Sequence, residues 1–209
     1  MKAASFLLPL LPALLLGRPA TAQDQPKLQF GLKAGLTSTG YRKQDSFSTD
    51  ERLLGAAAGG LMRYTFSRNQ RWAVQPELQY AGKGGRFTRF KDADGNATSY
   101  TDRIHFLDLP VLLRYRYHGL FLEAGPQLSF PLGKPDDLPY EVLRNMTGRT
   151  DYAPVQLSYA LGLGYELPNG LSLNLRYADD TSNLYWPGTT GGVRNSVLQA
   201  QVGYVFGGK

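Results

Sequence analysis

No cysteine occurs in the 209 residues, which excludes a disulfide framework, a thiolate metal site and a cysteine nucleophile. Imidazole is almost as scarce, since His105 and His118 are the two histidines, and they fall at opposite ends of one candidate strand. Charge is thin at 19% of residues, and the excess of basic over acidic side chains is dispersed. That argues against nucleic acid as a partner, because nucleic-acid binders cluster their charge in a patch or stripe. Long hydrophobic runs are missing after Gln23, so no helix there can cross a membrane; about 18 consecutive apolar residues would be needed.

What is present is an N-terminus of the secretory kind. Lys2 precedes an apolar run over residues 6–16, and Ala20-Thr21-Ala22 then supplies an A-x-A cleavage site. The run is too short for a membrane anchor and holds Pro9 and Pro12. Residues 1–22 are therefore expected to be a signal peptide cut after Ala22, leaving 23–209 as one domain. Loss of Lys2 and Arg18 leaves 21 basic and 17 acidic residues, a net of +4. The composition of the whole chain, with 24 Gly, 13 Tyr and a mean hydropathy of -0.31, suits strands and turns better than membrane helices.

Strands show as period-2 alternation, one face apolar and the other polar or small. It recurs eight times, over 28–36, 54–66, 72–83, 107–117, 120–130, 155–166, 171–177 and 198–206. All but 171–177 reach the roughly 9 to 11 residues that a tilted membrane strand needs. One face of each, such as Leu28, Phe30, Leu32, Ala34 and Leu36, carries no charge in any segment. The opposite faces hold Lys33, Arg63, Glu77, Lys83, Asp108, Arg114, Arg116, Glu123, Glu166 and Arg176. Lipid sorts faces in this way, because Lys or Arg turned to the bilayer midplane costs about 2–4 kcal/mol while a barrel lumen tolerates charge.

A soluble sandwich also alternates. The connections discriminate, since short ones at 67–71, 118–119 and 167–170 alternate with long ones at 37–53, 84–106, 131–154 and 178–197. Short periplasmic turns and long external loops are the outer-membrane arrangement. Threading the chain up and down also gathers Phe66, Trp72, Tyr115, Tyr117, Tyr165, Tyr204 and Phe206 at the periplasmic rim, and Tyr80, Phe130 and Tyr177 at the other. Such girdles form because amphipathic rings favour the headgroup level. The expected fold is all-β, an eight-stranded antiparallel up-and-down transmembrane β-barrel in the bacterial outer membrane, bounded by lipid and monomeric.

Several segments stand out: Gln75-Pro76-Glu77-Leu78-Gln79-Tyr80 with Lys83-Gly84-Gly85, Phe106-Leu107-Asp108-Leu109-Pro110-Val111-Leu112-Leu113-Arg114-Tyr115, Gly125-Pro126, Gly162-Leu163-Gly164-Tyr165-Glu166 and Leu175-Arg176-Tyr177. In these the chain resembles the PorT-like outer-membrane β-barrel proteins common in Bacteroidetes. The ending Val202-Gly203-Tyr204-Val205-Phe206 is similar to the terminal aromatic signal taken by the barrel-assembly machinery, with Gly207, Gly208 and Lys209 following it as a departure. The resemblance implies fold and location, and a structural or interaction role toward an unidentified external or periplasmic protein. Some relatives are tied to protein export, which keeps narrow transport or a secretion-associated role as an alternative.

Candidate chemistry is sparse. Lys33, Arg63, Glu77, Asp108, Arg114, Glu123, Glu166 and Arg176 make a lumenal charge network expected to fill the barrel, because eight strands leave an interior just wide enough for side chains. No catalytic, metal or cofactor site is expected. A lipid-modifying enzyme needs a nucleophilic Ser beside a histidine, and neither His105 nor His118 has one as a sequence neighbour. The stretch from Asp92 to Asn96 begins like a calcium loop, but Arg103 stands where the bidentate Glu belongs. Gly162 and Gly164 open no helix, so they form no dinucleotide fingerprint; small residues there are expected to make room for bulky lumenal neighbours such as arginine. Tyr140 and Tyr185-Trp186 on external loops suit recognition and loop packing equally.

Overall fold

The computed structural model describes residues 28–43, 51–91, 97–133, 154–181 and 193–207. The signal segment, the stretch from Asp92 to Asn96, Tyr140 and Tyr185-Trp186 lie outside these. Eight strands follow in order: β1 (Leu28–Lys43), β2 (Glu51–Thr65), β3 (Trp72–Lys91), β4 (Ala97–Tyr117), β5 (Leu120–Pro131), β6 (Gln156–Glu166), β7 (Leu171–Asp180) and β8 (Val193–Val205). Each pairs antiparallel with its sequence neighbours, and β1 closes on β8 through a ladder from Gly31↔Val205 to Lys43↔Val193. Closure matters energetically, since a sheet edge left in lipid would strand its N–H and C=O groups without partners.

The alternation in the sequence is the alternation in space. Leu32, Leu36, Leu54, Leu122 and Leu173 point outward, each more than half exposed, while Lys33, Glu77, Asp108, Arg114, Glu123 and Arg176 are buried inside. At the short-turn end Trp72 lies against Tyr115 at 4.8 Å between ring centroids, and Tyr204 meets Phe206 edge-on at 5.5 Å. The 118–119 connection is a two-residue turn in which His118 (φ 47) and Gly119 (φ 87) are both left-handed, the backbone twist that a tight hairpin requires. At 167–170 a longer turn forms instead: Gly170 N–H donates to the Leu167 carbonyl at 3.0 Å, with Gly170 at φ 89.

The long connections differ from expectation. Strand pairing runs far beyond the expected ends: β3 and β4 stay paired up to Arg89↔Thr98 and Lys91↔Ala97, and β1 reaches Lys43. Residues 84–106 are thus mainly a β-hairpin, and 37–53 is largely strand too. The physical reason is that alternation records lipid, while the ladder needs only backbone. Beyond the uncharged outward band, Thr, Phe, Tyr and Ile still favour strand, but charge such as exposed Arg103 returns to the outward face and erases the period-2 signal.

Candidate functional site

The inner faces of the strands meet in a lumen filled by polar and charged side chains, arranged in three tiers along the barrel axis. In the middle tier, Glu77 of β3 accepts from Lys33 Nζ of β1 at 2.8 Å and from Gln75 Nε2 at 2.7 Å. Arg176 of β7 donates NH1 to Glu77 Oε2 at 2.7 Å and NH2 to Glu77 Oε1 at 3.0 Å. The same guanidinium turns Nε to Glu123 Oε1 of β5 at 2.9 Å, and its NH2 also bonds that oxygen. Asn174 Nδ2 adds a further bond to Glu123 Oε1 at 2.8 Å. One arginine therefore ties β3 to β5 across the interior, with its side chain and both carboxylates fully sealed from solvent.

At the short-turn end the chemistry is different. Glu166 accepts from Arg63 NH1 at 2.9 Å, Arg114 NH2 at 2.6 Å and Arg116 NH1 at 3.2 Å. Arg63 Nε also donates to Gln75 Oε1 at 2.8 Å, which links this tier to the middle one. Arg114 lies flat against the Phe121 ring, its guanidinium carbon 3.4 Å from the centroid. Toward the other end Lys83 Nζ donates to Asp108 Oδ1 at 2.7 Å and Ser129 Oγ at 3.0 Å, while sitting 4.7 Å above Phe106. Ionic hydrogen bonds of this kind are the strong class, and burial makes both partners indispensable to each other.

All eight residues singled out in the sequence face this interior, in three groups. Lys33, Glu77, Glu123 and Arg176 form the middle tier. Arg63, Arg114 and Glu166 form the lower one, joined by Arg116, and Asp108 pairs with Lys83. Charge counting missed the neutral residues between them. Gln75 and Asn174 bond the carboxylates, and Gln79, Gln127, Gln199 and Gln201 are buried on the same faces. Their signal was parity, because Gln75 and Gln79 share a face with Glu77, as Gln199 does with Gln201. Gly162 makes room as expected, but for Glu123 rather than an arginine: a Cβ there would lie 2.7 Å from Glu123 Oε1. Gly164 likewise yields to the Phe121 ring.

The two histidines stay apart from the lumen. His105 Nδ1 is 2.6 Å from the Tyr80 hydroxyl and the rings stack at 5.5 Å, while His118 stacks on Tyr117 at 4.2 Å in its turn. Among the described residues no cluster of three His, Asp or Glu side chains could hold a metal ion. A shallow outward groove of about 860 Å³ runs between Leu113, Leu122, Leu161, Leu163 and Leu175 and presents almost only apolar surface.

Comparison with known proteins finds a family model described as "Outer membrane protein beta-barrel domain" that matches residues 21–178. No curated protein matches the chain. Among solved structures, similarity extends to Ail, the attachment invasion locus protein of Yersinia pestis, solved in complex with the heparin analogue sucrose octasulfate; identity is 14%, coverage 87% of this chain and 100% of that one, and the TM-score 0.49. Neisserial surface protein A is 14% identical over 84% of this chain and 96% of its own, with a TM-score of 0.49. OprG from Pseudomonas aeruginosa is 15% identical over 85% and 95%, with a TM-score of 0.43.

Proposed function

Because this chain belongs to the outer membrane protein beta-barrel domain family and resides in the bacterial outer membrane, we propose that it is a closed barrel with a structural or interaction role, its lumen plugged by its own side chains. The carrying observation is the span of Arg176, which bonds Glu77 and Glu123 on separate strands in the middle of the interior. A hydrated ion would have to break several buried ionic hydrogen bonds to pass, each worth more than a neutral one. In this reading the short-turn end faces the periplasm, and the paired upper ends of β1–β2 and β3–β4 stand outside, where a protein partner would meet them.

The same proposal takes residues 1–22 as a signal peptide cut after Ala22, 23–209 as the barrel, the PorT-like proteins as its kin, the barrel-assembly machinery as its inserting partner and the monomer as its working form. No catalytic role is assigned to the lumenal charges, each of which bonds at least one other. Narrow transport is the second reading, and it draws on Gln79, Gln199 and Gln201, whose buried amides have no hydrogen-bond partner on either atom. Single-channel recording on the refolded protein separates the two. The closed barrel gives no stable steps, and a reproducible unitary conductance would overturn it.

A further inference from the structure

Charge balances in the middle tier of the lumen, where Lys33 and Arg176 face Glu77 and Glu123, and fails to balance at either end. Above, Lys83 meets Asp108 with the buried Asp180 close to both, an excess of acid. At the periplasmic end three arginines, Arg63, Arg114 and Arg116, converge on the single carboxylate of Glu166. The flanking turns correct nothing, for residues 67–71, 118–119 and 167–170 contain no acid and add Arg68 and Arg71. Among the described residues two positive charges are thus in excess where Arg63 and Arg114 side chains are only 5% and 4% exposed. Cations so poorly hydrated persist only with compensation.

The site has space and free donors for a compensating anion. A recess of about 210 Å³ opens there, lined in part by Gln29, Arg116, His118 and Glu166. A pit of about 10 Å³ beside it, room for one water and not for the anion, shares Gln29 and Arg116 and is bounded by Arg63, Arg71 and Arg114, so the anion itself sits in the larger recess against Arg116. Arg114 Nε is buried on that wall with no hydrogen-bond partner, and Arg116, about one-third exposed, commits one nitrogen to Glu166. Guanidinium forks bind tetrahedral oxyanions through paired, charge-assisted hydrogen bonds, which a lone ammonium could not arrange. Glu166 lines the same recess and repels an anion, but its single charge is outweighed by the three arginines that bond it.

We propose that the periplasmic mouth of the barrel is a binding site for a phosphate-class oxyanion, gripped by Arg116 at the rim with Arg114 behind it. The proposal goes beyond the closed-barrel reading and does not depend on it, since it concerns the mouth and not passage through the middle tier. Two sources offer the chemistry: inorganic phosphate of the periplasm, and the headgroup of a phospholipid in the adjoining leaflet.

The test uses the refolded full barrel in a phosphate-free sugar detergent, titrated with inorganic phosphate against chloride at matched ionic strength, with thermal unfolding as the readout. Phosphate should raise the unfolding temperature saturably beyond chloride, as any ligand of the native state does. Arg116→Gln should weaken phosphate about tenfold or more, the loss of charge-assisted hydrogen bonds. Gln29→Glu, which places a carboxylate in both recesses without removing an arginine, should abolish the phosphate response while raising the unfolding temperature in its absence. To separate the sources, the titration is repeated in nanodiscs of phosphatidylglycerol and of an uncharged glycolipid. A response kept in both assigns the site to free phosphate, and one lost only in phosphatidylglycerol assigns it to the headgroup. A phosphate response no larger than that of chloride, or one undiminished in both variants, would overturn the proposal.

Discussion

Glu77 illustrates what burial does to a single residue. It accepts from Lys33, Gln75 and Arg176, and all of these reach it inside the barrel. Glu77→Gln leaves the shape intact but strips Arg176 and Lys33 of a charged partner, and breaking a buried pair from one side costs about 3–5 kcal/mol. We expect urea unfolding of the refolded variant to show a loss of that order, and a change below about 1 kcal/mol, the range of exposed ion pairs, would mean the tier is hydrated. The two faces of the wall differ as sharply. Arginine at Leu109 or Leu161 puts a charge into lipid, at about 2–4 kcal/mol near the midplane, whereas arginine at Gln79 enters the lumen beside Asp108, whose Oδ2 has no partner. Heat-modifiable gel mobility after refolding should show a smaller folded fraction for the first two than for the third, and equal tolerance would refute the register. Gly162 is constrained from the same side. Gly162→Ala drives a methyl to within 2.8 Å of Glu123 Cγ, so the carboxylate must leave Arg176, and stability should fall.

At the scale of the element, the β3–β4 hairpin separates two causes of strand formation. Its lower part alternates because lipid demands it, and its upper part does not alternate yet pairs residue by residue through Phe87↔Tyr100. Hydrogen exchange on the protein in bilayers should therefore protect backbone amides well above the aromatic girdle, in residues 84–89 and 98–106. Rapid exchange throughout those residues would return them to loop. The tight 118–119 turn makes the opposite demand, for backbone freedom. Gly119→Val places a β-branched residue at φ 87, where L residues cost about 1–2 kcal/mol, and a Cβ would also meet the Tyr165 ring at 2.8 Å. Slower refolding and lower stability are expected, measured by the same gel assay and by urea titration.

For the molecule as a whole, the interior works as one cross-braced unit. Gln75 joins the lower tier to the middle one by accepting from Arg63 and donating to Glu77. Removing both middle carboxylates in a Glu77→Ala, Glu123→Ala double variant frees Arg176 from its bonds to β3 and β5. If that brace is what closes the lumen, conductance steps absent from the wild type should appear in planar bilayers. A silent double variant that refolds fully would place the barrier in another tier.

Much of this was legible before any coordinates. The lipid face, the sites of the short turns and the inward placement of Lys33, Arg63, Glu77, Asp108, Arg114, Glu123, Glu166 and Arg176 follow from period-2 alternation, which a strand cannot evade because successive side chains point to opposite faces. Where lipid stopped imposing alternation the sequence fell silent, and strand ends such as Lys43 and Lys91 were set by pairing alone. Partners inside the lumen were also beyond its reach. Glu77 and Arg176 are 99 residues apart and Arg63 and Glu166 are 103 apart, so their meeting depends on closure and on the register of every intervening ladder. A sum over the sequence finds lumenal charges of nearly balanced sign; tertiary structure decided that the balance holds in the middle of the barrel and fails at its short-turn mouth, because closure distributes charge by height along the axis, a coordinate that no linear pattern contains.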